Sequence, residues 1–355
     1  MPSEKLCPVC GVPKRVSKEL EWLDDGTIVQ KENREHRMMF TENENIVNTF
    51  SGVEEIMNMS VERFIMEAKR RATFDFVEHT LPAIVKAIVR VVGIRPVIRN
   101  MTALGSVMGY GALKLVSVRH THSKGSFVKI SIKEPYSVPL ICGDLAGAFN
   151  AIRRREVAVD YEEQAPDDYV ISGHISAHPT ELQERLQTRP FQHKPGDISF
   201  DRCPKCEGPM VLSEYRWNVD RGVIENKANG RRMVLVGPAS LDAVINELEN
   251  ELGDAIPQAI VKAQQRFIKS GFYSLEEIAS EELFRMQLAI RGFGNMRDIE
   301  WREGGFSFRL ENPCLNPVMV GLALGAFEMA SGGEGHAEWK QAEDGDLIID
   351  ISSGA

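Results

Sequence analysis

Residues 135–149, P-Y-S-V-P-L-I-C-G-D-L-A-G-A-F, recur at 313–327 as P-C-L-N-P-V-M-V-G-L-A-L-G-A-F. Pro135, Pro139, Gly143, Gly147, Ala148 and Phe149 are identical in both, six of fifteen positions at an offset of 178, where composition alone would give roughly one. Working outward, Gly109-Tyr110-Gly111 matches Gly292-Phe293-Gly294 at offset 183, and Ala68 and Arg71 match Ala263 and Arg266 at 195. Gly26 and Ile28 match Gly222 and Ile224 at offset 196, with Trp22 and Trp217 one place out of step. Each copy opens on a C-P-x-C pair, Cys7-Pro8-Val9-Cys10 and Cys203-Pro204-Lys205-Cys206. An internal repeat decides the fold before any single element does. The sequence therefore divides into a first repeat over 1–180, a linker over 181–202 and a second repeat over 203–355.

The same order of elements is expected in each copy. After the cysteines comes a charged β-hairpin: Arg15 to Leu23, a turn at Asp24-Asp25-Gly26 and a return over Thr27 to Gln30, matched by Leu212 to Val219, Asp220-Arg221-Gly222 and Val223-Ile224. Asp-Gly or Gly between such runs is a hairpin signal. Helices follow from 3.6-residue spacing, over Val53 to Ala72 and His79 to Val92, and over Leu241 to Leu252, Ile256 to Ile268 and Ser274 to Ile290. Each copy then has a strand pair, a helix opening on Pro139 or Pro317, and a closing strand pair. Small residues such as Gly143 and Gly147 let that helix approach a neighbour closely. The expected class is α+β: two tandem copies of an antiparallel-sheet-plus-helices domain, related by a pseudo-twofold axis, with C-x-x-C hairpins at their N-terminal ends. Met101 to Met108 is apolar and Gly-rich, and reads as a flexible pocket lid or a loop insertion.

Composition sets outer limits. A net charge of −9 argues against a nucleic-acid binder that works by neutralising phosphates. No apolar run reaches the ~18–20 residues of a membrane helix, and Met1-Pro2-Ser3-Glu4-Lys5 does not open a signal peptide. Six cysteines, four of them in C-x-x-C pairs, fit a reducing compartment and a soluble, cytoplasmic chain.

From Met108-Gly109-Tyr110-Gly111-Ala112-Leu113 onward, through Glu134-Pro135, Ile141 to Gly147 and Val157 to Glu163, the chain resembles the 4-vinyl-reductase, or hydrocarbon-binding, domain family. Arg291-Gly292-Phe293-Gly294, Glu311-Asn312-Pro313 and Gly321 to Phe327 carry the resemblance in the second copy. The resemblance implies helices packed on a four-stranded antiparallel sheet around an apolar pocket, and a sensor or an accessory of a reductive pathway. Many members hold zinc through Glu and Cys in the last strand pair. Here Glu163 has no cysteine soon after it and none follows Cys314, so that site does not carry over.

The strongest chemical candidates are Cys7, Cys10, Cys203 and Cys206. Structural zinc takes four ligands, and one C-x-x-C supplies two. If the hairpins of the two copies meet, the four thiolates complete one structural zinc site. A redox dithiol is the alternative, although such pairs usually open a helix after a strand. Candidate ligand contacts are Tyr110, His120, His122, Tyr136 and Cys142 in the first copy. No catalytic constellation stands out. The leading function is binding of a small apolar or aromatic molecule, as sensor, carrier or pathway accessory, which calls for a cavity near ~300 Å³ in the first copy. A scaffold offering helical faces to protein partners, or an accessory subunit of a reductive enzyme, are the alternatives.

Overall fold

The computed structural model describes residues 4–80, 95–119, 125–176, 191–272 and 280–354. The class is α+β with three antiparallel sheets. In chain order the first copy contributes α1 (Lys14–Glu19), β1 (Leu20–Trp22), β2 (Ile28–Gln30), β3 (Asn33–Glu42), α2 (Asn43–Met57), α3 (Glu62–Thr80), α4 (Arg95–Val107), β4 (Ala112–Arg119), β5 (Phe127–Lys133), α5 (Val138–Arg153), β6 (Val157–Ala165) and β7 (Asp168–Ile175). The second copy repeats the order: a 3₁₀ turn (Met210–Glu214), β8 (Tyr215–Asn218), β9 (Val223–Asn226), β10 (Arg232–Val236), α6 (Ala239–Leu252), α7 (Ala255–Phe267), α8 (Glu281–Ile290), β11 (Asn295–Arg302), β12 (Gly305–Glu311), α9 (Asn316–Ser331), β13 (Gly335–Gln341) and β14 (Leu347–Ser353).

Four expectations are corrected. Arg15 to Leu23 is not one strand: Lys14–Glu19 is helical, because Pro13 leads straight from the cysteine knuckle into a helical turn. Val53 to Ala72 is not one helix: Asn58 takes a left-handed conformation (φ 51) and closes α2 before α3 begins. Met101 to Met108 is neither lid nor loop, since Arg95–Val107 is helical. Each hairpin also has a third strand, β3 or β10. The segments 81–92, His120, His122, 177–190 and the Ser274 helix start lie outside the described residues.

Those third strands join the copies. β3 and β10 pair antiparallel, with Met39 opposite Val236 and Phe40 opposite Leu235. The result is one six-stranded sheet in the order β1-β2-β3-β10-β9-β8. Central strands are buried on both faces, so Arg37–Glu42 and Met233–Val236 are buried without alternation. Each hairpin also crosses to the opposite copy. Gly111 N donates to Gly222 O at 2.9 Å and Leu235 N to Met108 O at 2.9 Å; Gly294 N donates to Gly26 O at 3.1 Å and Phe40 N to Arg291 O at 2.9 Å. The repeated Gly-x-Gly turns are thus docking points for the other copy's hairpin. A Cβ on Gly222 would sit 2.0 Å from Gly111 O, and one on Gly26 would sit 2.3 Å from Gly294 O, so neither turn admits a side chain.

Beyond the shared sheet, each copy closes its own four-stranded sheet, β4-β5-β7-β6 and β11-β12-β14-β13. Against them lie α5 and α9, each opening with Pro in its first turn. Ser137 caps α5 by accepting from Leu140 N. In the second copy Asp242, on α6, accepts from Leu315 N instead, at 3.0 Å. The small residues do what their size allows. A Cβ on Gly143 would lie 2.6 Å from Met66 O and 2.7 Å from Lys69 Cβ, while one on Gly321 would lie 2.6 Å from Val261 O and from Gln264 Cβ. α5 therefore packs on α3 as α9 packs on α7. One hydrophobic core holds residues of both copies, and a second lies under the cysteine knuckles.

Candidate functional site

Two features bear chemistry. The first is the cysteine centre. Each C-x-x-C forms the same knuckle: Gly11 N donates to Cys7 O and Cys7 N to Val12 O, as Glu207 N donates to Cys203 O and Cys203 N to Gly208 O. Gly11 (φ 77) and Glu207 (φ 61) make the left-handed turn that swings the second cysteine back toward the first. Pairing of β3 with β10 brings the knuckles together. Cys7 Sγ lies 3.8 Å from Cys203 Sγ, and Cys10 Sγ 3.4 Å from Cys206 Sγ. All four sulfurs lie within 4.8 Å of one another. A tetrahedron of Zn–S bonds of ~2.3 Å sets sulfurs ~3.8 Å apart, so the four fit one metal ion. None of the four is in a disulfide.

The electrostatics of the set also call for a cation. Burial pushes the Cys7 thiol up, but backbone N–H groups of Cys10 and Val9 and the thiols of Cys10 and Cys203 outweigh it and hold Cys7 down at about 6. Burial pushes Cys10 up, and Cys206 with it. One thiolate is favoured and its neighbours are not, which is the expected frustration of like charges sharing a small volume. A divalent ion at the centre removes that conflict and takes all the ligands as thiolates.

The second feature is a half-open, largely apolar pocket of about 190 Å³ in the first copy. Its walls are β5 (Val128, Ile130), α5 (Ile141, Asp144, Leu145), α3 (Lys69, Thr73, Phe76) and α4 (Ile98, Met101, Leu104), closed by His36 and Met38 of β3 and by Gly237, Ala239 and Ser240 of the second copy. It lies between the helix from Pro139 and the helices that precede it, smaller than the ~300 Å³ of a drug-sized site. Of the sequence-derived ligand contacts, Tyr110 lines it. Tyr136 stacks behind Tyr110, ring centroids 4.5 Å apart, and is fully buried. Cys142 is buried in the core and is not a lining residue; burial raises its thiol. His120 and His122 lie outside the described residues.

Sequence reasoning missed the polar end of this cavity. Lys69 Nζ lies 3.5 Å from Asp144 Oδ1, and Thr73 Oγ1 donates to the same oxygen at 2.6 Å. Burial pushes the Asp144 carboxyl up, against the Lys69 ammonium and the Thr73 hydroxyl, which pull it down. Burial likewise pushes the His36 imidazole down to about 4, and Lys69 adds to the same direction. His36 packs on Phe76 with ring centroids 4.9 Å apart. The available signal was Asp144 inside an otherwise apolar helix, opposite Leu322 in the repeat.

Among the described residues no helix is long and apolar enough to cross a membrane. No family model, curated protein or solved structure matches this chain.

Proposed function

We propose that this chain is a binding protein for one small apolar or aromatic molecule, held in the first-copy cavity, with a structural zinc at Cys7, Cys10, Cys203 and Cys206 tying the copies together. The observation that carries the reading is the cavity: about 190 Å³, mostly apolar, between α3, α4, α5 and β5. Apolar cavities of ~150 Å³ stay dry and take benzene-sized guests, so this volume suits a single ring with a short substituent.

Zinc fits the cysteine set because four thiolates in a closed tetrahedron are its usual structural environment. Reduced thiols also favour a cytoplasmic setting, and the helix-on-sheet layout supports the resemblance to hydrocarbon-binding domains. A sensor or carrier role follows from a cavity walled partly by the other copy, since occupancy then bears on how the two copies pack.

Native mass spectrometry of freshly isolated protein, followed by titration with toluene, tests this. The expected result is one zinc per chain and saturable toluene binding at one site. Zero or two zinc ions would sink the shared metal, and absence of toluene binding would sink the cavity reading.

A further inference from the structure

The repeat supplies an internal control for what the cavity needs. Lys69, Thr73 and Asp144 correspond to Gln264, Ile268 and Leu322, at offsets of 195, 195 and 178. The helix pairs α3–α5 and α7–α9 pack through the same glycine contacts. At these three positions the second copy therefore has no ion pair; Lys269, just past α7, instead meets Glu328 of α9 at 2.7 Å, six residues beyond Leu322. Burying a lysine–aspartate pair costs desolvation that its mutual attraction rarely repays. Nothing at the matching positions of the second copy, Gln264, Ile268 and Leu322, asks the first copy to bear that cost.

The pair is also incomplete. Asp144 Oδ1 takes the hydroxyl of Thr73 and faces Lys69. Asp144 Oδ2 is buried and has no hydrogen-bond partner among the described residues. A buried carboxylate oxygen without a donor costs ~1–3 kcal/mol or more. Asp144 and Lys69 both line the cavity, so a bound molecule reaches both. A purely hydrocarbon guest would leave the oxygen unsatisfied. A cationic guest would be repelled by Lys69, and an anionic one by Asp144. A neutral hydroxyl suits both groups at once, because it donates through O–H and accepts through its lone pairs.

Resting on the binding reading above, we propose that the cavity selects a small apolar alcohol, its hydroxyl donating to Asp144 Oδ2 and accepting from Lys69 Nζ, with Thr73 fixing the carboxyl. The remaining walls hold the hydrocarbon body. His36, neutral at ordinary pH, closes the same end.

Paired titrations of benzyl alcohol and toluene test the proposal in wild type, Asp144→Leu and Asp144→Asn. An apolar cavity alone would favour toluene, because the alcohol must shed water from its hydroxyl. Wild type is expected to bind benzyl alcohol at least as tightly as toluene. Asp144→Leu, which installs the second copy's residue, should shift the ratio toward toluene by ~10-fold or more, the worth of a hydrogen bond to a charged group. Asp144→Asn keeps size and an acceptor, and should shift it less. A strong toluene preference in wild type, unchanged in both variants, overturns the hydroxyl proposal and leaves the cavity reading standing. Binding of neither probe overturns both. If Asp144→Leu does not fold, the wild-type ratio and Asp144→Asn still decide.

Discussion

The two copies place different side chains at equivalent positions, and the differences around the cavity bear most directly on binding. Val128 and Ile130 on β5 correspond to Phe306 and Phe308 on β12, and Gly173 to Ile351, all at offset 178. The strand registers agree: Val128 faces Gly173 where Phe306 faces Ile351. Met101 corresponds to Phe284. In the second copy these rings fill the space: Phe306 lies 6.0 Å from Phe308 and 6.1 Å from Phe327, and Phe284 lies 6.0 Å from Phe308. Met108 and Gly237 at the closed end correspond to Arg291 and Glu42, a buried ion pair. One backbone plan thus supports a packed half and a hollow half. The hollow half is where the proposed binding would take place.

The largest expected effect breaks what the copies share. Cys203→Ser removes one of four thiols and with it the proposed zinc. Small zinc domains draw ~10–16 kcal/mol from such a site, and here the two cores carry part of the fold, so a loss of about 5 kcal/mol of unfolding free energy is expected. Denaturant melts with metal analysis check this. Because β3 pairs with β10 beside the knuckles, most secondary structure should persist in the absence of denaturant. Retention of one metal per chain with unchanged stability would contradict the shared centre.

Transferring the head group to the wrong copy comes next. Leu322→Asp puts a carboxylate at a buried position where the counterparts of Lys69 and Thr73 are Gln264 and Ile268, and should destabilise by ~3–5 kcal/mol. Melts of that variant read the cost. A change below ~1 kcal/mol would mean that the second copy already has room for water there.

A smaller effect concerns pH. Burial, with Lys69 adding to it, holds the His36 imidazole at about 4, against about 6.5 in the unfolded chain. As pH falls, the unfolded chain takes up the proton first. The stability contribution is complete above pH ~6.5 and is lost as pH falls toward 4, up to ~3 kcal/mol. Asp144, whose folded carboxyl is raised, contributes the opposite slope, so the quantity to measure is wild type minus His36→Phe. That difference should fall between pH 6.5 and 4; a flat difference would place His36 in water.

The repeat and the cysteine set were legible because they depend on residue identity at fixed spacing. Gly109 and Gly292 must be glycine where the other copy's third strand and hairpin cross them, against Met233 O and Met38 O, and that constraint shows in sequence. β3 was not legible: its first half, Asn33-Arg34-Glu35-His36, is polar and partly exposed, and only pairing with β10 makes its second half a central strand. The break at Asn58 was obscured by apolar residues that keep helical spacing across it. The polar end of the cavity was hidden because Lys69 and Asp144 meet only when α3 and α5 pack, 75 residues apart.

The most direct test of a hollow first copy and a filled second copy is a crystal structure under xenon, which enters dry apolar cavities. One xenon site is expected among Val128, Ile130, Ile141 and Leu145, and none among Phe306, Phe308 and Phe327. Xenon in both copies, or in the second alone, would contradict the division of roles between them.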